Sequence, residues 1–111
     1  MSQPNDRFSA VKSGLLEFAV LAVLNRNEAY VADIIDRLAK TEFRTQEGTL
    51  YPLLSRLRRE GSLEYEWRES DAGPPRKYYH LTPRGKEELR RFREYWKKII
   101  TTIQHLGTNH G

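Results

Sequence analysis

Residues 48–61 have the sequence GTLYPLLSRLRREG, and this stretch decides how the rest of the chain is interpreted. Four leucines recur in it at i, i+3, i+4 and i+7, the spacing of the buried side of an amphipathic helix. They are Leu50, Leu53, Leu54 and Leu57. Gly61 is a helix stop signal. Because proline is tolerated in the first turn of a helix, Pro52 places the start of this helix near Gly48.

Two shorter helices are predicted upstream. Residues 14–24 are apolar on all sides, which predicts a short helix that is buried all round. After a turn at residues 25–27, residues 30–41 return to the helical spacing. The apolar positions of this second helix are Val31, Ile34, Ile35 and Leu38. Residues 1–13 are polar, contain Pro4 and show no periodicity, so we expect a flexible N-terminal arm there.

A β-hairpin is predicted downstream. Every second residue from 63 to 67 is apolar, which is typical of a strand with one buried face. These residues are Leu63, Tyr65 and Trp67. Residues 70–75 form a Gly-Pro loop, and residues 77–81 return as the partner strand. Three helices followed by such a two-stranded wing indicate a winged helix-turn-helix over residues 14–81, in the mainly α (α+β) class.

The C-terminal segment is predicted to be a dimerisation helix, residues 82–106. Thr82 suits the N-cap and Pro83 the first helical position. Apolar residues then recur at alternating spacings of three and four, a heptad pattern that favours pairing with another helix. They are Leu89, Phe92, Trp96, Ile99, Ile103 and Leu106. The alternative is that this helix packs back on its own chain. We expect residues 107–111 to be a disordered tail.

The composition excludes several classes of protein. A chain of 111 residues suits one domain. It has no cysteine, which excludes disulfides, thiolate metal sites and a cysteine nucleophile. The longest apolar run, Phe18–Leu24, is far shorter than the ~20 residues of a membrane span, and no secretory signal opens the chain. We therefore expect a soluble, cytoplasmic protein that does not bind membranes.

Positive charge is concentrated in two blocks of the chain. The net charge is only +4, from 19 basic and 15 acidic residues. Residues 44–60 carry four basic and two acidic groups, and residues 76–98 carry nine and three. Such blocks form the electrostatic footprint that phosphate would need. A solvated helix face is the simpler explanation of most of the second block.

Catalysis finds little support in the sequence. The three histidines do not stand at a metal-ligand spacing with a carboxylate. The chain also lacks a phosphate-binding glycine-rich loop and a nucleophile elbow. Glu87 and Glu88 are adjacent, but neighbours on a helix diverge by about 100°. We therefore predict a protein that is not an enzyme and needs no metal or cofactor.

DNA binding is the function that the helix at residues 48–61 favours. A helix in the major groove needs small or hydrogen-bonding residues near its N-terminus, and guanidinium groups that reach phosphates or guanine edges. The side opposite the leucines supplies Thr45, Gln46, Thr49, Tyr51, Ser55, Arg56 and Arg59. Arg76 and Lys77 on the wing could reach the DNA backbone or the minor groove. An ordinary surface helix is the competing interpretation.

Two sequence blocks resemble the PadR family of bacterial transcription regulators. GTLYPLL at residues 48–54, followed by Arg56-Leu57 and Gly61, resembles the family's recognition helix. GPPRKYY at residues 73–79, followed by Leu81-Thr82 and Gly85, resembles its wing and the start of its dimerisation helix. The resemblance runs from about residue 14 to residue 106, and the single short C-terminal helix is similar to the smaller subfamily.

The resemblance implies a homodimeric repressor that binds double-stranded DNA at a pseudo-palindromic operator. It implies that the first helix, with Leu15 and Phe18, packs against the partner's C-terminal helix. It also implies roles at the DNA, either facing it or positioning the helix, for Thr49, Tyr51, Pro52 and Arg56, and wing contacts for Arg76 and Lys77. Tyr30 matches an aromatic position near the phosphate backbone.

The sequence departs from the family pattern at three places. Val31-Ala32 replaces the usual Gly-Tyr after Tyr30, which puts one phosphate contact in doubt. Arg58 replaces a usual glutamate, so that an intramolecular ion pair is lost or the helix gains charge for DNA. Ser62 replaces a common apolar residue at the start of the wing. None of these changes alters the predicted fold.

An effector site is implied at the heptad seam. Family members that resemble a multidrug sensor hold flat aromatic compounds against a tryptophan of the last helix, and others respond to phenolic acids. Phe92 and Trp96 are the candidates here for a planar aromatic or phenolic effector. Large aromatics at a seam also suit a plain interface core. A regulator without a ligand, and a winged-helix module that binds a protein instead of DNA, are the two alternative functions.

Overall fold

The computed structural model describes residues 7–108, in which four helices and two strands follow one another. They are α1 (Ser9–Arg26), α2 (Val31–Leu38), α3 (Glu47–Arg59), β1 (Leu63–Ser70), β2 (Gly73–Leu81) and α4 (Pro83–Leu106). The antiparallel β1–β2 hairpin is called the wing below. This confirms the predicted mainly helical α+β class and the order of a winged helix-turn-helix.

The core lies where the first three helices meet the base of the wing. Its fully buried side chains come from each of these elements, which explains why each carries an apolar stripe. The largest apolar ones are Val20, Leu21, Ile34, Leu50, Leu54, Leu57 and Leu63. Ala29 pairs with Tyr79 in an isolated antiparallel β-bridge, through backbone hydrogen bonds of 3.0 and 2.8 Å. The wing is therefore anchored to the segment that leads into α2.

Helix α1 begins at Ser9, five residues before the predicted start. The predicted arm over residues 1–13 is therefore wrong for residues 9–13, and residues 1–6 lie outside the described part of the chain. Once a helix has nucleated, each further residue adds one hydrogen bond, so polar turns extend an apolar helix without a periodic signal. Lys12 Nζ also lies 3.0 Å from Glu42 Oε2, in the segment between α2 and α3.

Only one side of α1 is buried within a single chain. Val20, Leu21 and Leu24 lie in the core, whereas Leu15 and Phe18 are half-buried. The prediction of a helix buried all round is therefore not met by one copy of the chain. The uncovered apolar side of α1 lies beside α4.

Helix α3 contains Pro52 in its second turn rather than in the first. The helix begins at Glu47, one residue before the predicted start, so that Pro52 is its sixth residue. Proline has no N–H, and the carbonyl of Gly48 therefore lacks its helical donor. Gly48 and Pro52 are both exposed, so that water can hydrate this carbonyl.

The wing is longer than predicted and its outer part stands free of the core. Pro74 and Pro75 belong to β2 instead of the loop, and Ser70 pairs with Gly73 across a tight turn. A two-stranded hairpin tolerates prolines because both of its strands are edges. The predicted buried face ends at half-buried Tyr65, and Trp67 beyond it is 60% exposed.

A single residue, Thr82, joins the end of α3, the wing and the start of α4. Thr82 is the predicted N-cap: its Oγ1 accepts from Gly85 N at 3.0 Å and donates to Gly61 O at 2.6 Å. Its backbone N–H donates to Ser62 O at 3.1 Å. These four residues are called the Thr82 junction. Gly61 has a φ of +84°, a conformation that favours glycine.

The heptad seam of α4 leaves the core gradually along the helix. Leu89 is only 3% exposed in the single chain and belongs to its own core, so its prediction as a dimer-interface residue is wrong. Phe92 and Ile99 are half-buried and Trp96 is 36% exposed, whereas Ile103 and Leu106 near the end of the helix are 64% and 80% exposed. A heptad pattern cannot show where a helix passes from its own domain to a partner.

The end of α4 is ordered beyond its last turn. Gly107 N donates to Ile103 O and Gln104 O, and Thr108 N donates to His105 O. The predicted tail therefore does not begin at residue 107, and residues 109–111 lie outside the described part. Within residues 7–108, no helix combines the length and hydropathy that a membrane span requires.

Candidate nucleic-acid interface

The outward face of α3 is formed by residues at spacings of four, three and four. Gly48, Pro52, Ser55 and Arg59 occupy it, and all four are exposed. They lie opposite the buried leucines, because these spacings keep residues on one side of a helix. Three of the four side chains are small, and the face ends in a guanidinium group. Another molecule could therefore approach the backbone of α3 closely on this face.

Arg56 faces α1 and not the solvent in front of α3. Its guanidinium lies 3.2 Å from Glu17 Oε1 on α1 and 3.1 Å from Glu60 Oε2 on its own helix. The hydrogen bonds that Arg56 donates to Glu60 and, to a smaller extent, to Glu17 raise the pKa of Arg56 above its ordinary value. This differs from the prediction that Arg56 faces DNA. The i, i+4 partner Glu60 is visible in the sequence, but Glu17, 39 residues away, is not.

Arg58 faces the wing. Its guanidinium carbon lies 4.8 Å from the ring centroid of Tyr65 on β1, a cation–π distance. The arginine that departs from the family pattern therefore contributes to the contact between α3 and the wing.

The predicted residues at the N-terminus of α3 lie on two sides of it. Gln46 is the N-cap residue, with no side-chain hydrogen bond to the first turn, and Tyr51 is 47% exposed on the wing side. Thr45 and Thr49 line a depression between α1 and the segment joining α2 to α3, together with Lys12, Lys40 and Arg44. Only part of the predicted set thus faces outward with Arg59.

Tyr30 is covered by the wing. The guanidinium carbon of Arg76 lies 4.5 Å from the Tyr30 ring centroid, and Tyr78 meets the same ring edge-on at 5.3 Å. Arg68 stacks over Tyr78 at 4.8 Å and is anchored by Glu28 and Glu66. Tyr30 therefore holds Arg76 in place. This role differs from the predicted one, in which Tyr30 lies near the phosphate backbone.

A cleft of about 510 Å³ separates α3 from the wing. Its lining combines aromatic rings, cations and one acidic residue, Glu47. The lining residues are Tyr30, Val31, Ala32, Glu47, Tyr51, Trp67, Pro75, Arg76 and Lys77. Trp67 was not among the predicted site residues. Its place in an alternating strand suggested a core position, and sequence alone does not show where the wing leaves the core.

A second concave surface, the α1–α4 groove, contains the predicted effector residues. Phe18 of α1 stacks on Phe92 with ring centroids 4.0 Å apart, and Phe92 lies 6.0 Å from Trp96. The groove has a volume of about 640 Å³, and Leu15 and Ile99 also line it. In the described part of the chain, His, Asp and Glu do not gather in groups of three that could hold a metal ion.

Comparison with known proteins gives a consistent result. Residues 20–91 match the sequence profile of the transcriptional regulator PadR-like family. A transcriptional regulator of Mycobacterium tuberculosis, Rv3488, is 33% identical over 87 residues, which cover 75% of this chain and 80% of that protein.

Solved structures of similar proteins share the fold over nearly the whole chain. A PadR-like transcription factor from Bacteroides fragilis is 41% identical, with a TM-score of 0.80 over 92% of this chain and 99% of that chain. A PadR family transcriptional regulator from Eggerthella lenta is 32% identical, with a TM-score of 0.83 over 94% and 92%.

Proposed function

The chain belongs to the PadR-like family of transcriptional regulators, and we propose that it is a homodimeric repressor which binds a pseudo-palindromic operator. Members of this family are transcriptional regulators and not enzymes, in agreement with the prediction from the sequence. The observation that carries the proposal is the outward face of α3, which combines small side chains with Arg59 next to a wing that carries Arg76 and Lys77.

The outward face of α3 suits the major groove. An α-helix with its side chains is about 10–12 Å across, close to the ~12 Å width of this groove. Gly48 and Ser55 let the helix backbone approach the base edges, whereas bulky side chains there would hold it away. Arg59 lies at the C-terminal end of the same face, within reach of a phosphate or a guanine edge.

The exposed apolar end of α4 supports the homodimer. Ile103 and Leu106 are 64% and 80% exposed in one chain, at heptad positions that a second α4 would cover. The half-buried side of α1, with Leu15 and Phe18, continues the same apolar surface. Two copies of α3 related by the dimer axis would then meet two half-sites of an operator.

The test of the proposed function is fluorescence anisotropy with DNA from just upstream of the protein's own gene. A scrambled duplex of the same length is the control, and both are titrated at two salt concentrations. We expect tighter binding to the upstream duplex. This binding should weaken steeply with salt, because it releases counterions from the phosphates and that release is less favourable at higher salt. Equal and weak binding to both would favour a protein-interaction module or an operator elsewhere, which pull-downs and genome-wide footprinting would distinguish.

Arg59 and Arg56 are expected to differ in their effect on DNA binding. Arg59→Ala removes an exposed cation from the outward face and should weaken operator binding by about 1–3 kcal/mol if it reads a base edge. Arg56→Ala removes a guanidinium already paired with Glu17 and Glu60, and should change operator affinity less. Anisotropy titrations of the two variants provide the comparison. A larger loss for Arg56→Ala would show that Arg56 leaves Glu17 to bind DNA.

The α1–α4 groove is the proposed site of a planar aromatic or phenolic effector that relieves repression. Phe92 and Trp96 have ring centroids 6.0 Å apart, and Trp96 is 36% exposed, so that a flat ligand could stack on its ring. We expect planar aromatic compounds to quench the emission of Trp96 and to lower affinity for the upstream duplex. Quenching without any change in DNA affinity would favour a regulator controlled by its abundance alone.

A further inference from the structure

The wing carries a large aromatic side chain that its own fold leaves uncovered. Trp67 on β1 is 60% exposed, although it lies on the same face of the hairpin as Tyr65 and is paired across the strands with Lys77. Tyr65 is half-buried under Arg58, whereas Trp67 lies farther out along the wing. An exposed tryptophan is a large apolar surface that a binding partner can cover.

Trp67 lies in the cleft between α3 and the wing, beside two cations. Lys77 Nζ lies 5.4 Å from the Trp67 ring centroid and 4.5 Å from that of Tyr65, so that the two rings hold the ammonium in place. Arg76 is held over Tyr30 in the same way. Across residues 7–108, neither Arg76 nor Lys77 has a carboxylate within 4.0 Å, in contrast to Arg68 next to them. Within these residues, the positive charge of Arg76 and Lys77 in the cleft is therefore held in place without an ion pair.

The position of the cleft defines what would enter it. If α3 fills the major groove, a sugar–phosphate strand runs along each side of the helix, and the strand on the wing side must pass between α3 and β2. We infer that this strand occupies the cleft, with Trp67 packed against a deoxyribose and Arg76 and Lys77 on its phosphates. The inference rests on the proposed function, since it requires α3 to bind DNA.

The acidic residue of the cleft orients the strand. Glu47 lies in the first turn of α3 and lines the cleft opposite the wing. Its carboxylate repels phosphate, so the phosphates are drawn to the side of Arg76 and Lys77. Trp67 and Tyr51 are then left to contact the uncharged sugar. Because sugars carry no sequence information, the contact of Trp67 adds affinity to any duplex.

Tryptophan emission tests the inference, because the chain has two tryptophans, Trp67 and Trp96. The upstream duplex and the scrambled duplex are titrated into the parent protein and into Trp67→Phe, with emission and anisotropy recorded in the same samples. We expect the duplexes to quench the parent's emission in step with anisotropy, and to leave the emission of Trp67→Phe unchanged. Equal quenching in both proteins, or binding by the parent without quenching, would overturn the inference.

Affinities provide a second readout. Trp67→Ala should weaken binding to both duplexes about tenfold, whereas Trp67→Phe should stay within about threefold of the parent. The salt dependence should not change in either variant, because no charge is removed. Parent-like affinity of Trp67→Ala would contradict the contact while leaving the proposed function intact. If the parent binds neither duplex, the proposed function itself is wrong.

Discussion

Replacing Gly85 by alanine is expected to destabilise the fold by about 3 kcal/mol or more. Gly85 is buried at the third position of α4, and a Cβ on it would lie 2.2 Å from the carbonyl oxygen of Ser62. That carbonyl accepts the Thr82 N–H and belongs to the backbone, so it cannot turn aside as a flexible side chain would. The variant must either break this hydrogen bond or displace the start of α4.

Gly14→Ala is the matched control for Gly85→Ala. Gly14 also lies within a helix, but a Cβ there would meet no atom of the described residues within 4 Å. Alanine should raise stability at this position by about 0.5–1 kcal/mol, because glycine loses more conformational freedom on folding. Urea unfolding at one fixed protein concentration compares both variants with the parent. Gly85→Ala with parent-like stability would show that α4 and Ser62 can separate without loss.

Ile103→Asp is expected to dissociate the proposed dimer. Ile103 is 64% exposed in the single chain, so the substitution should leave the fold of each copy intact. In a dimer each copy would lose about 1.5–3 kcal/mol of isoleucine burial and would have to bury a carboxylate. Since the change occurs in both copies, the dimer dissociation constant should rise by on the order of 100-fold or more. Sedimentation velocity over a range of concentrations measures the shift from dimer to monomer.

Thr101→Asp is the control for Ile103→Asp, because it adds the same charge to α4 at a position outside the heptad seam. Thr101 is exposed on the same helix, two residues away from Ile103 and outside the heptad seam. This variant should sediment as the parent does. If Ile103→Asp also remained dimeric at low micromolar concentration, the subunit interface would not include the C-terminal half of α4. A dimer built on the sides of α1 alone would then have to be considered.

The regular parts of the fold could be predicted because periodicity and capping chemistry are local. The leucine spacing identified α3, whose start was predicted one residue late, and Thr82-Pro83 located the start of α4. The errors occurred where the outcome depends on distant residues. Residues 9–13 are helical with Lys12 reaching Glu42, and Pro74 lies in a strand because the hairpin edge is open.

The candidate site could be predicted as a set of residue types but not as an arrangement. Arg56 and Arg59 look equivalent in the sequence, yet an acidic residue on α1 pairs with one and leaves the other exposed. Leu89 fits the heptad as well as Ile103 does, but only Ile103 lies beyond the core. Trp67 was missed because strand alternation indicates which face a residue occupies and not how far that face is covered.

The Thr82 junction has a consequence for the geometry of operators. One threonine fastens the end of α3, the root of the wing and the first turn of α4. In the proposed dimer, the angle and separation of the two α3 helices are then set by how the two α4 helices cross, with little play between them. The distance between the two α3 helices would therefore be fixed. Inserting one base pair between half-sites shifts them by about 3.4 Å and a tenth of a helical turn. The two α3 helices could follow this shift only if the heptad seam between the two α4 helices repacked.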